Sequence, residues 1–169
     1  MKKVTLITLL VIAALILTVV GAAAATNARA FRAELSGPPD GTDSLAIGKA
    51  QVVFSKDGQS LRYIVFVKDL KDTTMAHIHV ATTPGANGSI ALWLFPDNPP
   101  PTLIPGFFTG LLAKRTVTAA DLVGPLAGMT LEDLRTAILE GRAYVNVHTV
   151  AFPAGEIRGD LHAVKKQKK

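Results

Sequence analysis

A chain of 169 residues with 49% hydrophobic residues and no cysteine has the length of one domain and enough apolar mass to bury a core without covalent staples. The missing cysteines exclude disulfides, thiolate metal sites and cysteine nucleophiles. The formal charge of +5 belongs to the ends: of 18 basic residues, Lys2, Lys3, Lys165, Lys166, Lys168 and Lys169 are terminal, and the twelve that remain stand against 13 acidic ones, which leaves no basic face for nucleic acid.

The N-terminus reads as a targeting segment. Lys2 and Lys3 precede the uncharged run Val4–Val20, and the small residues of "GAAAATNARA" follow; this is the order of a secretory signal peptide. Cleavage is expected after Ala25 or after Ala30. The alternative is an uncleaved N-terminal anchor, since Val4–Ala25 is 22 residues without a charge, enough to span a bilayer. The expected organisation is therefore residues 1–25 as signal or anchor, 30–163 as one folded domain, and 164–169 as a basic disordered tail. The expected location is secreted or cell-envelope. Export without cysteine fits a bacterial exported protein. Contact with a membrane is expected only through an uncleaved N-terminus or the basic tail, which suits anionic lipid.

From residue 31 the apolar pattern changes to period two. "FRAELSG" is an expected strand, ended by the turn residues "PPDGTDS". "AIGKAQVVFS" and "LRYIVFVKDL" flank "KDGQS", whose Asp57-Gly58 is a hairpin signal. "MAHIHVAT" is read as a separate strand, "TPGANG" as its turn, and "SIALWLF", with the single tryptophan Trp93, as the next strand. Five of the ten prolines fall in "PDNPPPTLIPG", which makes Pro96–Pro105 an exposed loop. "FFTGLLAKRTV" returns to the sheet.

A helical insertion is expected around 118–140. Thr118 and Thr130 each precede an aspartate by three residues, and Leu131, Leu134 and Ile138 share a helical face. Gly141 stands where a C-terminal glycine cap belongs. "RAYVNVHTV" and "GEIRGDLHAV" close the chain as strands. About eight strands and one helix point to a mainly β fold, an antiparallel Greek-key sandwich or barrel.

Three of the four histidines, His77, His79 and His148, fall on two strands away from the chain's end. Residues i and i+2 of a strand share a face, so His77 and His79 point one way and Ala76, Ile78 and Val80 the other. The apolar side is the natural core side, which puts the histidines on solvent or in a cleft. Tyr144, Asn146 and His148 likewise share one side of "YVNVHT". Were the two strands neighbours, His148 would complete a three-histidine set for one copper or zinc ion. The competing reading is a polar ladder in which the histidines, Tyr144 and Asn146 meet Glu156 and Arg158 of the last strand across the sheet. His162 is expected to be exposed. There is no glycine-rich phosphate loop, nucleophile elbow or hydrolase triad, so a binding or structural module is expected rather than an enzyme.

"FRAELSG", "AHIH" and "LEGRAYVNVHTVAFPAGEIRGDL" together resemble the CHRD domain, the module named after the animal protein chordin and found also in exported bacterial proteins. The resemblance runs from about Ala30 to His162 and implies an extracellular or envelope partner. It also implies an immunoglobulin-like Greek-key barrel similar to Cu,Zn superoxide dismutase, which binds copper through a His-x-His pair on a strand. His77 and His79 would take that role, with His148 as third ligand. The chain departs from the dismutase in having too few histidines for two metal sites and no disulfide, so one ion, copper or zinc, is the most it would hold.

Overall fold

The computed structural model describes residues 27–37, 39 and 41–165. The expected signal or anchor segment and the last four residues of the expected tail lie outside the described residues. Among the described residues the elements are β1 (Ala30–Ser36), β2 (Ile47–Phe54), β3 (Leu61–Val80), β4 (Ser89–Phe95), β5 (Ile104–Val117), β6 (Ala143–Thr149), β7 (Ile157–Asp160) and β8 (His162–Ala163), with an α-helix, α1 (Leu131–Leu139), between β5 and β6.

The expected strands 61–70 and 75–82 are a single strand of 20 residues, β3. No glycine or proline interrupts this stretch, and the polar "DLKDTT" at its middle bends the strand without ending it. Asp69 and Asp72 take φ of 61° and 53°, a region aspartate tolerates better than most residues. Asp72 Oδ1 accepts from Gly106 N at 2.7 Å, and Asp69 N donates to Thr109 Oγ1 at 2.9 Å. Beyond the bend β3 continues with different neighbours.

That bend closes the barrel. Along one edge of β3, β2 pairs with Leu61–Lys68 and β6 with Thr73–Val80; along the other, β5 and then β4 follow. The strands β2-β1-β7-β6 form a continuous antiparallel path, so both ends of the path return to the same strand. The core lies inside this ring, with Phe31, Leu35, Leu61, Tyr63, Ile78 and Ile157 each below 2% exposure or at that value. β5 starts at Ile104, so the expected proline loop is shorter than read and Pro105 lies within a strand. Among the described residues β5 pairs only with β3, and an edge strand tolerates the missing N–H.

The helical insertion resolves into two 3-10 turns, Ala119–Asp121 and Gly124–Leu126, and α1. Thr130 caps α1 through a capping box: Asp133 N donates to Thr130 Oγ1 at 3.3 Å, and Thr130 N donates to Asp133 Oδ2 at 2.8 Å. Leu131, Leu134, Ala137 and Ile138 face the barrel, and Gly141 ends the helix at φ 70°. Thr130→Ala is expected to cost about 1 kcal/mol in urea unfolding, the usual value of a lost N-cap.

Candidate metal centre

β3 and β6 are neighbours in the sheet, with His77 opposite Asn146, His79 opposite Tyr144 and Met75 opposite His148. Ala76, Ile78, Val80, Val145 and Val147 point into the core as their phase requires. The other face was expected to meet solvent or a cleft. It is buried instead: His77, His79 and His148 are 0%, 8% and 5% exposed. The cause is loop packing. Residues 81–88 and 150–156 fold over this face, and every residue of β6 is buried in consequence.

The three imidazoles converge. Ring centroids are 5.5 Å apart for His77 and His79, 5.0 Å for His77 and His148, and 5.9 Å for His79 and His148. One ring nitrogen of each lies within 4.8 Å of the other two. Trp93 closes the side, its ring 4.2 Å from that of His77 in an edge-to-face contact.

Backbone carbonyls assign the tautomers. His79 Nδ1 lies 3.0 Å from Gly88 O, and His148 Nδ1 lies 3.1 Å from Pro153 O. A carbonyl only accepts, so both Nδ1 atoms carry the proton and both Nε2 atoms present a lone pair. His148 Nε2 faces His77 Nδ1 at 3.2 Å, while the Nε2 atoms of His77 and His79 have no hydrogen-bond partner among the described residues. A histidine whose second nitrogen donates to a carbonyl is held as metal ligands usually are. Zinc–nitrogen bonds of about 2.0–2.1 Å require donors no more than about 4.2 Å apart. The 3.2 Å pair already meets this limit, and the three donors, all within 4.8 Å of one another, need close by no more than about 0.6 Å to share an ion. The donor set therefore fits one ion.

The electrostatics agree. Burial, followed by the charges that His148 and His79 would carry, pushes His77 down to about 3. Burial brings His148 down to about 4 against the opposing Pro153 carbonyl. His79 is lowered too, first by burial and then by Arg158, with the Gly88 carbonyl opposing. All three rings are thus neutral at pH 7 and ready to ligate. In the unfolded chain they take up protons near pH 6.5, well before the folded protein does. The ion-free protein is therefore expected to hold its stability above pH 6.5 and to lose it progressively from there toward pH 4. Urea titrations across that range check the sign.

Tyr144 and Arg158 extend the site in a stack. The Tyr144 ring lies parallel to His79 at 5.0 Å, and the Arg158 guanidinium covers its other face at 3.4 Å. Arg158 also donates to Asn87 Oδ1 at 2.8 Å and Ala86 O at 3.2 Å, and Gly88 N donates to Tyr144 Oη at 3.0 Å. These bonds seat the covering loop. Gly88 itself has no room for a side chain, since a Cβ there would come within 2.3 Å of the Val80 carbonyl carbon. Asn146 donates to Ala154 O at 3.3 Å. Glu156 stands apart from the histidines: its carboxylate accepts from Ser44 Oγ and Thr149 Oγ1, both at 2.6 Å. It ties the loop before β2 to the end of β6. His162 is exposed.

Sequence reading passes over the contributions of Trp93, Gly88 and the Pro153 carbonyl. "GANG" signals a turn, but nothing local shows that the turn folds back over a strand face.

Residues 31–161 match a family model described as the CHRD domain, which is most of the chain. Neither a curated protein nor a solved structure matches it.

Proposed function

The chain belongs to the CHRD domain family, and on that premise we propose that it is an extracytoplasmic binding module whose three-histidine centre holds one ion of the copper or zinc class. The observation that carries the reading is the convergence of the three buried rings: one ring nitrogen of each lies within 4.8 Å of the other two, and carbonyls hold the Nδ1 protons of His79 and His148 so that both Nε2 atoms keep a lone pair. In the ion-free state His77 Nδ1 donates to His148 Nε2, leaving His77 Nε2 as a buried acceptor with nothing to accept. Moving that proton to Nε2 turns the His77 Nδ1 lone pair toward the other two rings. His77 would then ligate through Nδ1, His79 and His148 through Nε2. When bound, such an ion supplies Lewis acidity and a coordination position beyond the three nitrogens.

Export is part of the proposal and is supported by the charge and hydropathy order of residues 1–25. Of the two cleavage points, the one after Ala25 suits the fold. Ala30 is paired with Val53, and Phe54 N donates to Arg29 O at 2.8 Å, so cleavage after Ala30 would trim a working strand. N-terminal sequencing of the protein recovered from the cell exterior or envelope tests both points.

Titration of the tag-free protein with Zn²⁺ and Cu²⁺ by calorimetry tests the centre. One tight equivalent is expected, lost in His148→Ala. Absence of binding in the parent, with His148→Ala merely less stable, would establish the histidines as a polar lock.

A further inference from the structure

We propose that Met75 supplies a fourth, thioether ligand to this centre and that the centre, while able to hold a divalent ion, binds monovalent copper more tightly. The inference rests on the three-histidine reading above. Met75, His77 and His79 alternate along β3, and β6 places His148 directly opposite Met75. Neighbours across a strand pair share a face, with Cβ atoms about 4.5–5.5 Å apart. His148 belongs to the cluster, so Met75 borders it on the same face. The histidine row is closed at one end by Tyr144 and Arg158. Met75, only partly buried, forms the other end, where an ion would enter. An unbranched thioether has the rotational freedom to follow an ion inward.

The chemistry of the donor set then chooses the ion. Three neutral imidazoles and a thioether carry no charge. Among the described residues Glu156 is the one buried carboxylate, and it is committed to Ser44 and Thr149. A divalent ion would keep its full double charge in a buried pocket. A monovalent ion faces a much smaller desolvation cost, because that cost rises with the square of the charge. Thioether and imidazole donors together favour Cu⁺ among biologically common ions.

The test uses the full-length chain, with Cu⁺ affinity measured anaerobically against bicinchoninate and Zn²⁺ affinity measured separately. Met75→Leu preserves volume and apolarity. It is expected to weaken Cu⁺ binding roughly 10–100-fold and to leave Zn²⁺ binding unchanged, which also reports that the variant is folded. The copper X-ray absorption spectrum of the parent should show a sulfur neighbour that Met75→Leu lacks; with no cysteine in the chain, only methionine can supply it. Equal Cu⁺ affinity in parent and variant, or a nitrogen-only spectrum, would overturn the role of Met75 while leaving the histidine centre standing, and a parent that holds Zn²⁺ as tightly as Cu⁺ would overturn the preference for the monovalent ion. A parent that binds neither ion would overturn both.

Discussion

Replacing His77 and His148 together by leucine is expected to abolish ion binding, to leave stability at pH 7 within about 1 kcal/mol of the parent, and to make the protein far more resistant to acid. Two rings that share one hydrogen bond at 3.2 Å are removed as a unit, and the Pro153 carbonyl that loses the His148 N–H belongs to an exposed residue, where water can replace the donor. The buried His77 Nε2, which has no hydrogen-bond partner among the described residues, goes with them. Replacing both members of a buried polar pair by apolar groups of similar size is close to neutral, whereas removing one strands the other. At low pH the balance tips. Each buried neutral ring contributes up to about 1.4 kcal/mol of instability per pH unit below 6.5, until its own folded pKa of about 3 or 4 is reached. At pH 4.5 the two rings together set an upper bound of about 5 kcal/mol on the gap between variant and parent, comparable to the whole stability of a small domain. Urea unfolding at pH 7 and 4.5 reads both numbers. Histidines kept for stability would give the opposite result, a large loss at pH 7.

Gly159→Ala is expected to destabilise the protein by about 3 kcal/mol or more, the upper range for overpacking a rigid interior. A Cβ at this position would stand 2.1 Å from Glu34 O and 2.8 Å from its carbonyl carbon. Both are backbone atoms, so no flexible side chain can yield. The obstruction falls where β7 meets β1, a junction whose ladder consists of the pairing of Ser36 with Arg158. Pushing the two strands apart opens the barrel at its shortest seam and moves Arg158, which caps the Tyr144–His79 stack. The measured signature is a lowered urea midpoint together with weakened ion binding. A variant as stable as the parent would show that the seam is not required for closure.

The two glycines of "GEIRG" illustrate what could be read in advance. The segment marks the family, and its alternation marks a strand, yet neither says why the second glycine must be one. That reason is a carbonyl from a strand more than a hundred residues earlier. The histidines divide in the same way. Strand phase put His77 and His79 on one side and the apolar residues on the other, and both assignments match the structure. Phase could not show that the side away from the core is buried too, because a loop lying over a sheet leaves no periodic trace. Glu156 shares the parity of Arg158, yet its carboxylate turns to one hydroxyl before β2 and one at the end of β6, which strand parity does not encode. The merged β3 is a further case: two aspartates with positive φ bend a strand that a composition-based reading breaks.

Local chemistry, then, determined this protein's mainly β character, its hairpin at Asp57-Gly58, its capped helix and the alternation that separates histidines from core. These depend on residues within a few positions of one another, where sterics, capping and period-two patterning act directly. The tertiary structure decided the rest: the pairing of β3 with β6 that brings His148 to the pair, the carbonyls that set the tautomers, and the loops that bury the cluster. Those depend on contacts between segments distant in the chain, and their geometry exists only once the barrel has closed.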